Sequence, residues 1–520
     1  MVNCCYSSGG ETVKRIWSYL THRVVIVSLL IALQAAVLLI MTLVFQAYFV
    51  PFYFIMVALS LLVVLYIIGS RSDPAYKIAW IIPILALPVF GGLLYLIFGG
   101  RKLSRRGQRR MRPVARRFEA AVSPGCVLSE LAVSDPSAAA QARYLLNAAH
   151  CPPYRNTECE YFPLGDDAYP KMLEAIESAE RFIFLEYFII EEGRMWNSIL
   201  ELLVKKAGEG VDVRLIYDDF GCIMTLPADY RQMLEKRGIH CRVFNPFRPI
   251  LSSSFNNRDH RKILVVDGNT AFTGGINLAD EYINARVKHG HWKDTALSVR
   301  GDAAWSFTVM FLSMWDYLTG EDEDYERFRP TLPPSAVAAG VVQPYCDTPL
   351  DYEPVSETAY LNLINRAERY VYINTPYLIV SSQMMTALCA AAKSGVDVRI
   401  TTPHIPDKKL VFTLTRAHYE ELLEAGVKIY EYTPGFLHAK SFVSDDRHAV
   451  VGTINLDYRS LNLHFECAAL LYETPCIADI KRDYLSTLEL CEPITLAQCR
   501  GVPFYTRLLR AVLRLFAPLM

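Results

Sequence analysis

Arg181-Phe-Ile-Phe-Leu-Glu186 leads into a helical stretch, then into Gly210-Val-Asp-Val-Arg214 and the apolar run Leu215 to Tyr217. Later in the chain the same order returns. Arg369-Tyr-Val-Tyr-Ile-Asn374 leads into a helical stretch and then into Gly395-Val-Asp-Val-Arg399. The aromatic and β-branched runs predict strands. Between them, Ile199, Leu202 and Leu203 in one copy, and Met385, Leu388 and Ala392 in the other, keep helical spacing. Each repeated glycine suits the left-handed residue that ends a helix, and the Asp and Arg after it read as turn and surface residues. Strand, helix, turn, strand is a βαβ unit, which implies parallel pairing. The period is too long for a solenoid, so the chain is predicted to be α/β with two fused homologous domains. The acidic, proline-containing stretch from Gly320 to Pro334 is the natural linker. It sets domains over residues 146–335 and 336–500.

At matching places in the two halves stand His260-Arg-Lys262-Ile-Leu-Val-Val-Asp267 and His438-Ala-Lys440-Ser-Phe-Val-Ser-Asp445. Strand alternation puts the His and Lys of each on one face and lets the following apolar residues bury the other. Seven residues past each Asp comes a turn of small residues, Gly274-Gly275-Ile-Asn277 in one half and Gly452-Thr453-Ile-Asn455 in the other. Glycine admits close backbone approach, and the Asn carboxamide offers an N–H to an anionic oxygen. One such motif is weak; two in register with a repeat, each with the same Gly-x-x-Asn offset, mark a functional site. Asp218-Asp219 at a strand end lacks a His or Glu at ligand spacing, so no metal is expected.

The first hundred residues are of another kind. Residues 24–47, 53–70 and 78–100 are three uncharged runs, each about long enough to cross a hydrocarbon core of roughly 30 Å at about 1.5 Å per residue. A cleaved leader fits badly, because the first run is too long and a second follows at once. The third is broken by Pro83, Pro88 and Gly91-Gly92 and reads either as a crossing or as a re-entrant segment. Within residues 101–145 a basic connector opens on Arg101 and Lys102 and continues through Arg105, Arg106, Arg109, Arg110, Arg112, Arg116 and Arg117 before the first acid, Glu119. At a membrane exit this predicts a cytoplasmic collar facing the lipid. The tail, residues 501–520, alternates Arg507, Arg510 and Arg514 with Leu508, Leu509, Val512, Leu513 and Phe516, as an interfacial amphipathic helix does. Net charge is −1, which provides no broad basic field for nucleic acid. The 13 cysteines are scattered and odd in number, which suits reduced thiols rather than a disulfide framework. The adjacent Cys4-Cys5 reads as an incidental pair.

Taken with the hydrophobic N-terminus, His260-Arg-Lys262, His438-Ala-Lys440 and above all Gly452-Thr-Ile-Asn455-Leu-Asp457-Tyr-Arg459-Ser460 resemble the phospholipase D superfamily, specifically bacterial cardiolipin synthases. The resemblance covers nearly the whole chain. It implies two domains of mixed sheet flanked by helices, paired about a pseudo-two-fold axis and preceded by transmembrane helices. It implies a multi-pass protein of the bacterial inner membrane with cytoplasmic catalytic domains, and leaves a homo-oligomer open. It implies transfer of a phosphatidyl group between two phosphatidylglycerol molecules without a cofactor, with phospholipid hydrolysis and use of phosphatidylethanolamine as alternatives. It assigns His260 as nucleophile, His438 as acid, and Lys262, Lys440, Asn277, Asn455, Gly275 and Thr453 to the substrate phosphate. Asp294 and Glu466 stand where the family orients its histidines. Asp267 and Asp445 complete the motif and read as anchors of their loops. A nucleophile, a proton donor and cationic cover are the parts that phosphodiester transfer requires.

Overall fold

The computed structural model describes residues 32–40, 43, 46–88, 90–100, 103–122, 125–246, 256–330 and 338–519. The described residues up to Gly100 group into one unit, and those from Leu103 onward into another.

A stretch without polar side chains must satisfy its backbone internally, which a helix does. The second uncharged run does so within α1 (Gln46–Gly69), where Tyr48–Gly69 provides 22 residues long and apolar enough to cross a membrane. Among the described residues it is the one helix that meets that test. Half of the first run, 24–47, lies outside the described residues; its residues 32–40 are helical. The third is two short helices rather than one. Asp73 caps α2 (Pro74–Ala86) through the N–H groups of Ala75 and Tyr76, and α3 (Gly91–Phe98) follows a turn at Pro88. A Cβ on Gly91 would lie 2.5 Å from the Cα of Ile84, so glycine is what lets the two pieces pack so closely. Trp80 against Tyr95, 5.4 Å between ring centres, and the Tyr76 hydroxyl on the Gly99 carbonyl close the pair.

The basic connector forms α4 (Arg105–Ala121). Its Met111, Val114 and Phe118 are buried, while Arg109, Arg112 and Arg116 point outward. Arg117 turns inward to the buried Asp316 at 2.8 Å. The connector is therefore not a free charge run: its apolar stripe docks on protein, and only its arginine face is exposed.

Each half builds a mixed sheet around a central strand buried on both faces. In the first half the strands are β1 (Thr157–Phe162), β2 (Phe182–Tyr187), β3 (Asp212–Asp218), β4 (His240–Phe244), β5 (Ile263–Val266), β6 (Thr270–Gly274), β7 (His291–Lys293) and β8 (Ala296–Gly301). Their sheet order is β1-β8-β6-β5-β2-β3-β4. In the second half they are β9 (Val341–Asp347), β10 (Tyr370–Asn374), β11 (Asp397–Pro403), β12 (Lys428–Tyr432), β13 (Gly435–Leu437), β14 (Ser441–Ser444), β15 (His448–Gly452), β16 (Glu466–Tyr472) and β17 (Cys491–Pro493). Here the order is β9-β16-β15-β14-β10-β11-β12-β17, the same arrangement with one added edge strand. The predicted βαβ units are present. β2 and β3 run parallel with Phe184 opposite Arg214, and β10 and β11 with Tyr372 opposite Arg399. The connecting helices are α5 (Arg194–Gly208) and, after α6 (Ala304–Thr319), α7 (Ser382–Lys393). Gly210 and Gly395, at φ of 93° and 97°, follow α5 and α7 in the left-handed region that their role requires. α6 is buried along almost its whole length, which accounts for its lack of a polar face. The last helices used below are α8 (Lys409–Ala417) and α9 (Phe504–Phe516).

One small sheet belongs to neither half alone. β7 and β13 pair in parallel, Trp292 opposite Phe436, and so tie the two halves together beside a motif histidine.

Candidate active site

His260 and Lys262 precede β5, and His438 and Lys440 precede β14, so the motif residues sit in extended chain just ahead of the strands expected to carry them. The reason lies in their backbone partners. Instead of joining the sheet, the His260 N–H donates to the Phe465 carbonyl at 2.9 Å, and the His438 N–H donates to the Lys293 carbonyl at 2.7 Å. Both acceptors belong to the opposite half. Each is the residue just before a buried carboxylate, Glu466 or Asp294.

Those carboxylates hold the rings. His260 Nδ1 lies 2.9 and 3.0 Å from the two oxygens of Glu466, and His438 Nδ1 lies 2.6 Å from Asp294 Oδ2. The pairing is crossed: each histidine is oriented by the half that does not contain it. With Nδ1–H donated to a carboxylate, the neutral ring keeps its lone pair on Nε2, as a nucleophile or base requires. Glu466 is steadied by the hydroxyls of Thr453 and Ser460, and Asp294 by the Thr295 N–H at 2.8 Å.

His260, Lys262, His438 and Lys440 are all buried. Lys262 Nζ donates to the His260 carbonyl at 2.6 Å, and Lys440 Nζ donates to that of His438. Burial pushes Lys262 down to about 8 and Lys440 down to about 7, against the pull of Asp294 and Glu466. Burial, then the lysine charges, hold His260 well below its ordinary value and bring His438 to about 4. Both imidazoles are thus neutral at pH 7. An anionic phosphate is the partner that would raise them. Around His260 stand Phe188 and His464, at 5.1 and 5.6 Å between ring centres; around His438 stand Tyr282, Trp292 and Phe436.

The remaining predicted residues divide. Asn277 accepts from the Ile189 N–H at 3.0 Å and donates to the Tyr282 hydroxyl at 2.7 Å, so much of its capacity serves the loop. Asn455 keeps a buried side-chain oxygen without a partner among the described residues. Gly275 and Thr453 do not offer N–H groups to a phosphate, because these donate to the carbonyls of Thr295 and Cys467. Their roles concern the carboxylates. A Cβ on Gly275 would fall 2.0 Å from Asp294 Oδ1, and Thr453 donates its hydroxyl to Glu466. Asp267 and Asp445 stand apart from the histidines at the far ends of β5 and β14. Each accepts from three successive backbone N–H groups, residues 180–182 and 368–370 respectively. They anchor strand starts and do not touch the reacting region.

Two residues that the sequence left aside belong here. Asp218 is buried and accepts from the Asp259 N–H at 3.1 Å, which fixes the residue before His260; burial pushes its carboxyl up to about 7. His464 has no hydrogen-bond partner for either ring nitrogen among the described residues. Its place two residues before Glu466 is the signal that the sequence offers. His260, His464 and Glu466 are spaced as a metal site could be. Both Glu466 oxygens are already engaged by His260, Thr453 and Ser460, so the set does not fit a resident ion.

The family profile described as cardiolipin synthase, PLD-like domain, matches residues 172–294 and 360–487, and one described as phospholipase D-nuclease N-terminal matches residues 58–100. An uncharacterized protein of Streptococcus mutans serotype c is 46% identical over 88% of this chain and 99% of its own length. The cardiolipin synthase of Geobacillus kaustophilus is 36% identical over 87% of this chain and 90% of its own length; that of Geobacillus thermodenitrificans is 35% identical over 90% and 93%. The crystal structure of phosphatidylserine synthase from Haemophilus influenzae shares the fold, with a TM-score of 0.55 at 14% identity over 70% of this chain and 95% of that one. The chain belongs to the cardiolipin synthase family and is a phosphatidyltransferase of the phospholipase D superfamily.

Proposed function

We propose that the protein makes cardiolipin by passing a phosphatidyl group from one phosphatidylglycerol to another, with His260 as the transient carrier. Nε2 of His260 attacks phosphorus, the bond to the donor's headgroup glycerol breaks, and His438 gives that glycerol its proton. His438 then takes the proton of the second lipid's glycerol hydroxyl, the hydroxyl oxygen attacks phosphorus, and the N–P bond breaks. Lys262, Lys440 and the carboxamides of Asn277 and Asn455 face the phosphoryl oxygens. The observation that carries this reading is the crossed pair of carboxylate–histidine hydrogen bonds, which equips two imidazoles alike for one centre. Burial holds His438 neutral at pH 7, so its proton is gained as the phosphate anion arrives.

In the same reading residues 146–335 and 336–500 are the two domains, related by a pseudo-two-fold axis, with the site between them. The uncharged N-terminal runs make the protein multi-pass in the bacterial inner membrane. The arginine face of α4 supports a cytoplasmic catalytic body at the headgroup plane.

The test is product analysis with purified full-length protein. Vesicles of phosphatidylglycerol are expected to give cardiolipin and glycerol in equal amounts. Phosphatidic acid as the sole lipid product would mean hydrolysis. Cardiolipin formed only with added phosphatidylethanolamine, with ethanolamine released, would mean a different donor.

A further inference from the structure

A helix that packs on a protein core normally turns its apolar stripe inward. α9 does the reverse. Tyr505, Leu508, Leu509 and Val512 fall at i, i+3, i+4 and i+7, a single stripe, and all four are exposed, Tyr505 by 73% and Leu508 by 56%. Contact with the protein is made instead by Leu513 and by Ala517 just past the helix end, which join Ile379, Val411, Leu414 and Ala417 in a small cluster against α8. The neighbouring α8 continues the outward apolar surface with Leu410, 55% exposed. Cations flank this surface: Lys408 and Lys409 at the start of α8 and Arg507 on α9, while Arg514 is paired with Glu421 at 3.1 Å.

The patch adjoins the candidate site. Lys408 is near enough for its charge to act on His260. Asp407, beside it, accepts from the Tyr377 hydroxyl at 2.6 Å, and Ile405 donates its N–H to Gly435 three residues before His438.

We propose that the outward stripe of α9, with Leu410 of α8, inserts into a bilayer leaflet rich in anionic lipid and holds the mouth of the active site at the headgroup plane. The occupant follows from the pairing of features. An apolar stripe edged by cations matches acyl chains beneath anionic headgroups, whereas a protein groove would answer the apolar stripe alone. This docking rests on the phosphatidyl-transfer reading, because it gives the site a substrate that never leaves its membrane.

Two measurements on the full-length chain test it. In vesicles containing a phospholipid with a photoreactive group in its acyl chain, cross-links are expected within residues 504–516, with Tyr48–Gly69 as the internal control. Labelling of the control with none on α9 overturns the proposal, whatever the enzyme's activity. Second, the L508S/L509S variant is expected to lose on the order of tenfold in rate on phosphatidylglycerol vesicles, and to keep the wild-type rate in detergent mixed micelles, where substrate reaches the site without docking. Equal loss in both media, or none in either, overturns it. Absence of product from the wild-type protein in both media would instead count against the transfer reading, which separates the two failures.

Discussion

Glu466 holds His260 from the other half of the chain, its carboxylate oxygens 2.9 and 3.0 Å from the ring Nδ1 although 206 residues separate them. Asp294 returns the arrangement to His438 at 2.6 Å. Because each half carries the orienting group for the other, neither half has a correctly held histidine of its own. Duplication here is a condition of the chemistry rather than a doubling of sites.

If orientation is what the carboxylates supply, Glu466→Gln and Asp294→Asn should each lower kcat by about 10- to 100-fold, the range for lost orienting partners, with KM little changed. Steady-state kinetics beside thermal melting would check this. A melting temperature that falls in step with activity would mean a structural role instead.

The alkaline side of the rate profile should belong to the lysines. Lys440 and Lys262, lowered to about 7 and about 8, carry full charge below those values and lose it as pH rises through them. Since kcat/KM reports the free protein, it should fall across that window. Lys440→Arg keeps its charge, so whatever activity the variant retains should show the first fall removed.

Asp445→Ala should act on stability rather than on chemistry. It removes the acceptor for the N–H groups of Glu368, Arg369 and Tyr370. The expected cost is about 2 kcal/mol, with kcat per folded molecule nearly intact. Activity normalised by active-site titration separates the two effects.

Gly275→Ala should abolish turnover in a protein that still folds, since the added Cβ would meet Asp294 Oδ1 at 2.0 Å and turn the carboxylate from His438. Thr453→Ser keeps the hydroxyl that Glu466 receives and should stay within severalfold of wild type. Side-by-side assays of the two variants provide the check.

Much of this was legible in the sequence. The repeat points to the βαβ units because strand and helix periods are local, and the spacing of the two motifs marks their histidines; Asp294 and Glu466 follow only from the family resemblance. The crossing of the pairs was not legible, since it depends on how two folded halves meet. The strands begin after Lys262 and Lys440 rather than at the histidines for the same reason: the His260 and His438 N–H groups bond across the halves. The sequence does not show that the N–H groups of Gly275 and Thr453 are taken up by the carbonyls of Thr295, between β7 and β8, and Cys467, on β16, because these come near only in the fold. Asp218 was weighed only as a metal ligand, its backbone acceptor role being invisible without the turn it closes. The run 78–100 divides into α2 and α3 at a turn that its prolines permit but do not by themselves place.

The most direct test of the account is to trap its intermediate. Full-length protein turned over on phosphatidylglycerol labelled in its phosphatidyl moiety, then denatured, should retain acid-labile label on the peptide that contains His260. The His260→Ala variant should retain none, and the His438→Ala variant should retain less or accumulate it slowly. Label held by the His260→Ala variant and lost in His438→Ala would reverse the two roles, and turnover with no protein-bound label in any variant would contradict a histidine carrier.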